Sequence, residues 1–451
     1  MSAFAERRIL RWLALPVLGM WLGVLAVAYG ALAQMHTRLP LADDFYSFYV
    51  SAQRVTQGQS PYWPLLPRRQ EADPCHALGA LAFELASVPV AELTPELALM
   101  CRAPNLNPPI LAVLSQPLAW VGPGPAANLW MALGLVSLAG ALWSMSRALW
   151  PASPAPVKLC AGLWLAVLSW FPSWLSVLVG QVTLVLSWPL VLSWLALRQG
   201  RWGRAGALIG LLCSIKLFFG LLPLGLLLMR QWRALAVAVV TGLLLAAWGA
   251  WGSSGWGAYR DYAASLDAVI WVSNNFNASL HGYVSRFFVD PDKVFWAAVP
   301  REARGLSWLA CCGVAGLWWR GVSGGRARLD ARLGPAGPSG ARAAQADLLF
   351  TLSLPAMLLI SPLGWVYYFP WLVLPLALVW QAAAAHPARR QVGAVLILLV
   401  SLAAVPRSLM SHPPLRWEEW LLDWGGYTYL LLLALGLAWW ARGDAARRGA
   451  V

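Results

Sequence analysis

The sequence predicts an all-α polytopic membrane protein with about ten full transmembrane helices plus a short helical hairpin, about twelve membrane helices in all. Three observations predict it. Charged residues make up 12% of the 451 and hydrophobic residues 59%, whereas a soluble chain is nearer about a quarter charged. Apolar runs of about 18 residues or more, long enough to cross a bilayer core, recur along the chain. The arginines gather in short loops beside those runs, as the positive-inside rule requires of cytoplasmic loops. Topology therefore accounts for the net charge of +14, which does not point to nucleic acid. The 30 tryptophans suit interfacial belts and aromatic-lined cavities.

The first apolar run, 12–34, follows Arg7, Arg8 and Arg11 and reads as a retained helix with a cytoplasmic N-terminus. It is long for a signal-peptide core, which favours a retained helix. A helical extracytoplasmic loop follows over 35–126. Within it, Asn107-Pro108-Pro109 opens an apolar stretch at 110–121 that is too short to span and is interrupted by Gln116-Pro117, so it reads as an interfacial helix. Spans follow at 127–148, 159–177 and 181–198. The run 205–229 starts and ends beside basic loops, so it must go in and come back, broken near Ser214 to Lys216. Spans resume at 232–254, 300–320, 347–362, 366–385, 391–406 and 426–441, leaving both termini cytoplasmic in a plasma (inner) membrane protein.

Acidic residues sort the opposite way, with fifteen of nineteen in the loops left for the outer face. The whole chain, 1–451, reads as one integral-membrane domain, with 321–346 a cytoplasmic basic linker that is flexible over its Gly-, Arg- and Pro-rich 323–344. Cys160, Cys213, Cys311 and Cys312 lie in or beside apolar runs as packing residues. Cys75 and Cys101 share the outer loop, where a disulfide is chemically permitted.

The candidate chemistry begins at Asp43 and Asp44. Loop carboxylates are usually just solvated. Here Phe45, Tyr46, Phe48 and Tyr49 flank the pair and hold it against an apolar surface. Burial and mutual repulsion both raise a carboxylate's pKa, which suits a general base that takes a proton from a hydroxyl. Lys216 is one of three lysines and sits inside an apolar run. A cation there is either snorkelling to an interface or serving a site, with a phosphate as its natural partner. The polar loop 273–282 offers Asn277 and His281 ahead of Arg286, a set that suits a sugar or phosphate, although a lone loop histidine is more often structural. Gly180-Gln181 and the segment 361–368 with Tyr367 and Tyr368 mark outer breaks, as turns or as site walls. There is no metal-ligand spacing, P-loop, dinucleotide fingerprint or nucleophile elbow.

Taken in order, Asp44-Phe45 with Phe48-Tyr49, Gly58 with Pro61-Tyr62, Asn107-Pro108-Pro109, Gln116-Pro117, Gly180-Gln181, Gly206, Gly210 and Lys216, Asn277-Ala278-Ser279 with Arg286, and Ser361-Pro362 with Trp365 resemble glycosyltransferase family 87. The resemblance covers about residues 40–370. It implies a GT-C-like fold and an outward-facing site. It also implies inverting transfer of a sugar, usually mannose, from a polyprenyl-phosphate donor to a glycolipid or glycan acceptor beside membrane lipid. No cofactor or metal is called for. By motif position Asp44 is the base, with Asp43 its neighbour or substitute, while Lys216 and Arg286 hold the donor phosphate. His281, Asn277, Gln181, Tyr367 and Tyr368 complete the substrate-binding set. The chain departs from the family where a glutamine is replaced by Ala278 and two histidines by Tyr367 and Tyr368. Three other readings stay open: a different lipid-phosphate sugar donor, a transporter or flippase of lipid-linked sugars, and a non-catalytic relative. A transporter should show repeat symmetry, and none stands out.

Overall fold

A computed structural model describes residues 19–34, 43–62, 105–267, 272–274, 276–289, 299–333, 339–384, 427–429 and 431–436. Every described element is helical, and the only ladder-like contact among the described residues is an isolated bridge between Asn277 and Trp365. Cys75, Cys101, the predicted span at 391–406 and both termini lie outside the described residues.

The helices are α1 (Gly19–Gln34), α2 (Asp43–Thr56), α3 (Pro109–Leu114), α4 (Pro123–Leu149), α5 (Pro156–Leu168), α6 (Phe171–Leu178), α7 (Thr183–Arg198), α8 (Trp202–Ile215), α9 (Leu221–Leu228), α10 (Trp232–Trp251), α11 (Gly257–Asp267), α12 (Leu280–Arg286), α13 (Arg301–Leu333), α14 (Ser339–Ile360) and α15 (Val373–Ala384). Among the described helices, α4, α10 and the Arg342–Ile360 part of α14 are each long and apolar enough to cross a membrane. The pair α5 and α6 makes a fourth candidate span, bent by 68°. The predicted crossing at 300–320 falls on α13, which is not among the helices long and apolar enough to cross; the rest fall on shorter apolar helices or outside the described residues.

Burial sorts these helices by place. α14 contributes fully buried Leu349, Phe350, Leu352, Leu354 and Leu358 and forms the centre. α10 exposes Val239, Val240, Leu243 and Leu244, a face suited to lipid.

The bend between α5 and α6 was expected as one straight span over 159–177. Pro172 explains the difference. A proline inside a helix removes a backbone bond and clashes with the preceding turn. The chain therefore breaks at Ser169 and Trp170, which puts Pro172 in the first turn of a new helix, where proline is tolerated.

The run 205–229 breaks at Lys216, as its sequence predicts. Lys216 is extended (φ −135°, ψ 105°), followed by a 3-10 turn at Leu217–Gly220 and then α9. The contacts of α8 show the direction of travel. A Cβ on Gly206 would press on Ala234 and Val237, and one on Gly210 on Ala238 and Thr241. Residue numbers rise together, so α8 and α10 run parallel, and the segment between them has to return. Lys216 thus sits at the inner tip of the hairpin, about 21 Å from the start of the 14-residue α8 at 1.5 Å per residue.

The Gly-x-x-x-Gly spacing brings the α8 and α10 backbones together, as small residues do between membrane helices. A Cβ on Gly210 would lie 2.6 Å from the Ala238 carbonyl oxygen. Gly210→Leu is expected to force the helices apart and cost about 3 kcal/mol or more, the upper range for overpacking. A fall in the thermal midpoint of detergent-purified protein measures it.

The basic segment expected to be a flexible linker is instead helical over 321–333 and from 339 onward, with 334–338 outside the described residues. Packing overrides its composition. Gly325 admits Leu348 of α14 against the helix, Trp318 Nε1 donates to Ser353 Oγ at 2.9 Å, and Arg326 Nη1 donates to the Leu228 carbonyl at the end of α9 at 3.2 Å.

Candidate active site

The site starts from the end of α6. Gly180 has φ 67°, a left-handed conformation that costs glycine little. Its N–H donates to the Val177 carbonyl (3.1 Å) and that of Gln181 to the Ser176 carbonyl (2.9 Å), the paired bonds of a Schellman ending. The turn has two consequences. The Val179 carbonyl is free to accept from the N–H groups of Asp44 (3.1 Å) and Phe45 (3.2 Å), so α2 starts on the end of α6. The Gln181 side chain is carried towards the same place. Trp130 Nε1 donates to the Gly180 carbonyl at 2.9 Å and packs against Phe45 and Phe48, each with ring centroids 6.0 Å away. Asp44 therefore stands in the first turn of α2, near the positive end of the helix dipole.

Three further elements converge on Asp44. Gln181 lies within hydrogen-bonding reach of both Asp44 and Tyr367, and Lys216 lies within reach of the Asp44 charge. Lys216, 7% exposed, donates from Nζ to the Tyr368 hydroxyl at 2.8 Å, with its ammonium 5.1 Å from the centre of the same ring. Tyr368 is held in turn. It stacks on Trp371 at 5.1 Å and 4°, and contacts Phe218 at 5.2 Å. Asp44 keeps some exposed surface, but its carboxyl group is enclosed by protein. Burial pushes its pKa up to about 6, although Lys216 and the Gln181 bond both pull it down. A carboxylate poised near neutrality beside a buried cation suits proton acceptance next to an anionic leaving group.

The loop that presents the tyrosines is built by other sequence-selected residues. Asn277 Nδ2 donates to the carbonyls of Val272 (2.8 Å) and Pro362 (2.9 Å), while its Oδ1 accepts from the N–H groups of Ser279 (3.2 Å) and Gly364 (2.9 Å). Backbone bonds from Ala278 to Gly364 (2.9 Å) and from Val366 to Phe276 (3.0 Å) complete the staple just ahead of Tyr367. Arg286 Nη1 donates to the carbonyls of Asn274 (3.0 Å) and Asn277 (3.1 Å). His281 Nε2 lies 3.4 Å from Cys311 Sγ, and its ring meets the Trp308 ring edge-on at 5.2 Å. Burial pushes the His281 pKa below the usual histidine value.

Asp44, Gln181, Lys216, Tyr367 and Tyr368 thus form one connected network. Asn277 and Arg286 brace the loop beside it, and His281 packs against α13. Asp43 opens α2, and its side chain lies outside the described set.

The outer cap explains several other motifs. Ser51 Oγ donates to the Pro61 carbonyl (2.8 Å), Asn105 Nδ2 donates to Ser51 Oγ (3.1 Å), and the Tyr62 hydroxyl donates to the Asn107 carbonyl (2.5 Å). Two participants were not singled out from the sequence. Trp371 stacks under Tyr368, and its signal was the three-residue spacing from Tyr368. Tyr262 packs at a tilt against Tyr62, with ring centroids 5.8 Å apart. Its signal was the Tyr259 and Tyr262 pair on one face of α11.

The family model of glycosyltransferase family 87 matches residues 105–334, just over half of the chain. The chain belongs to glycosyltransferase family 87. It is a membrane glycosyltransferase. The matched stretch contains Gln181, Lys216, Asn277, His281 and Arg286, whereas Asp44, Tyr367 and Tyr368 lie beyond it and are joined to it by the contacts above. A curated relative is the polyprenol-phosphate-mannose-dependent alpha-(1-2)-phosphatidylinositol pentamannoside mannosyltransferase of Mycobacterium tuberculosis (strain CDC 1551 / Oshkosh). It is 28% identical over 368 residues, covering 78% of this chain and 76% of the relative.

Proposed function

We propose that this family 87 glycosyltransferase moves mannose from a polyprenyl-phosphate donor to a hydroxyl of a glycolipid or glycan on the extracytoplasmic face of the plasma membrane. The observation that carries the reading is the juxtaposition of Asp44 with the Lys216–Tyr368 pair. The named activity of the mycobacterial relative supports the donor. The reaction is a single inverting displacement. The acceptor oxygen attacks the anomeric carbon while Asp44 takes its proton. The bond from that carbon to the phosphate oxygen breaks, and the electron pair leaves on the polyprenyl phosphate. Lys216 and the Tyr368 hydroxyl stabilise the charge that develops there, the kind of preorganised stabilisation that speeds group transfer. Gln181 and Tyr367 line the same space, and the cap of Tyr62 and Tyr262 closes it from outside. Asn277, Arg286 and His281 act as the wall that keeps the tyrosines in place. Both chain termini are cytoplasmic in this topology.

A panel of polyprenyl-phosphate sugars, offered to purified protein with glycolipid acceptors, tests the donor. Mannose is expected to be transferred in preference to other hexoses and pentoses, and preferential transfer of another sugar would replace mannose in this account. The base also dictates a pH dependence. Its pKa lies above the ordinary carboxylate value, so the protonated, inactive form dominates below about 6. With one essential base, kcat/KM should fall about tenfold per pH unit below that point and level off above it. A flat profile down to pH 4 would contradict it.

A further inference from the structure

Gln181 does more than follow a glycine turn. Its carboxamide oxygen accepts from the N–H of Val182 at 3.0 Å. That bond settles which way the amide points. The oxygen of a carboxamide only accepts and the nitrogen only donates. Turning the group over would set an NH2 against the Val182 N–H, donor against donor. The nitrogen must therefore face the other way, where the Asp44 carboxyl and the Tyr367 hydroxyl lie within reach. The side chain is 5% exposed, so water does not readily substitute for it. Its backbone is pinned by the Schellman bonds of Gly180 and Gln181, and the same turn supplies the Val179 carbonyl that seats Asp44.

We infer that Gln181 is a positioning residue for the general base: its locked carboxamide donates to one oxygen of Asp44, leaving the other oxygen for the acceptor hydroxyl. The inference rests on the reading of Asp44 as base. An N–H donor to a carboxylate favours the charged form. Gln181 thus holds Asp44 both in place and ionised against the cost of burial. Through Tyr367, whose ring meets that of Tyr368 at 4.8 Å, the same side chain ties the base to the phenol that bonds Lys216. One residue of a helix-ending turn therefore spaces the proton-accepting end of the site from the leaving-group end.

The test uses Gln181→Leu, which keeps the bulk and removes the donor, and reads Asp44 directly. The carboxyl stretch of Asp44 is isolated in infrared difference spectra by subtracting Asp44→Asn protein, and is titrated in purified full-length protein. Losing a hydrogen bond to the charged form is expected to move the titration midpoint up by about one pH unit, as such bonds are worth a tenfold effect or more. The acid limb of the transfer profile should move with it. Gln181→Glu, which adds a like charge, should move both further upward. A midpoint unchanged in Gln181→Leu overturns the inference, whether or not activity falls, and returns Gln181 to a turn residue. If the midpoint moves but wild type transfers sugar from no donor, the positioning contact stands and the transferase reading fails. If Gln181→Leu is too unstable to titrate, Gln181→Met, which likewise lacks the donor and adds no charge, decides by the same shift.

Discussion

Asp44→Asn should lower the transfer rate by about 10²–10⁴-fold, the span that a positioned general base contributes. The substitution is nearly isosteric. The backbone bonds of residue 44 to Val179 do not involve the side chain, so the start of α2 is retained. An amide oxygen can still accept from Gln181. Asparagine also removes a charge whose burial is unfavourable, as the upward displacement of the Asp44 pKa shows. The thermal midpoint is therefore expected to hold or rise while activity collapses, an opposition that separates a lost base from a lost fold. Initial rates with saturating donor and a melting curve on the same preparation measure both. A variant within threefold of wild type would place the base elsewhere, and Asp43 would be the next residue to replace.

Lys216→Met should cost about 10²–10³-fold in rate, the loss typical of removing one group that stabilises developing negative charge. Methionine preserves length and apolar packing at the hairpin tip, so the site loses charge with little loss of volume. A second effect follows from the same geometry. The Lys216 charge lowers the Asp44 pKa. Without it Asp44 becomes harder to ionise, and the acid limb of the rate profile should move to higher pH. Weaker inhibition by free polyprenyl phosphate together with an upward limb would mark Lys216 as serving both ends of the reaction. Full activity at every pH would remove it from the site.

What the sequence revealed was mostly local chemistry. A lone lysine in an apolar run marked the hairpin break, because a cation in such a run needs a special place. A double aspartate among aromatics marked the carboxylate that we propose as the base. A Gly-Gln pair after an apolar segment marked the turn, although its use of the Val179 carbonyl to seat α2 depends on distant chain. The misread parts were non-local. Asn277 resembles a ligand in a polar loop, yet its four bonds join two loops that are 85 or more residues apart at their farther ends. The Gly- and Arg-rich segment after α13 has a linker's composition. It is nevertheless helical over 321–333, with Leu348 and the end of α9 packed against it. Trp371 meets Tyr368 from one turn along, whereas Tyr262 meets Tyr62 from a distant part of the chain.

The most direct measurement follows radiolabelled mannose from polyprenyl-phosphate mannose, with purified wild-type protein reconstituted in lipid and a glycolipid acceptor. Mannosylated acceptor and free polyprenyl phosphate are expected in equal amounts, with the anomeric configuration inverted. Movement of the intact donor across the bilayer with no mannose transferred would contradict that expectation and identify a carrier of lipid-linked sugar instead.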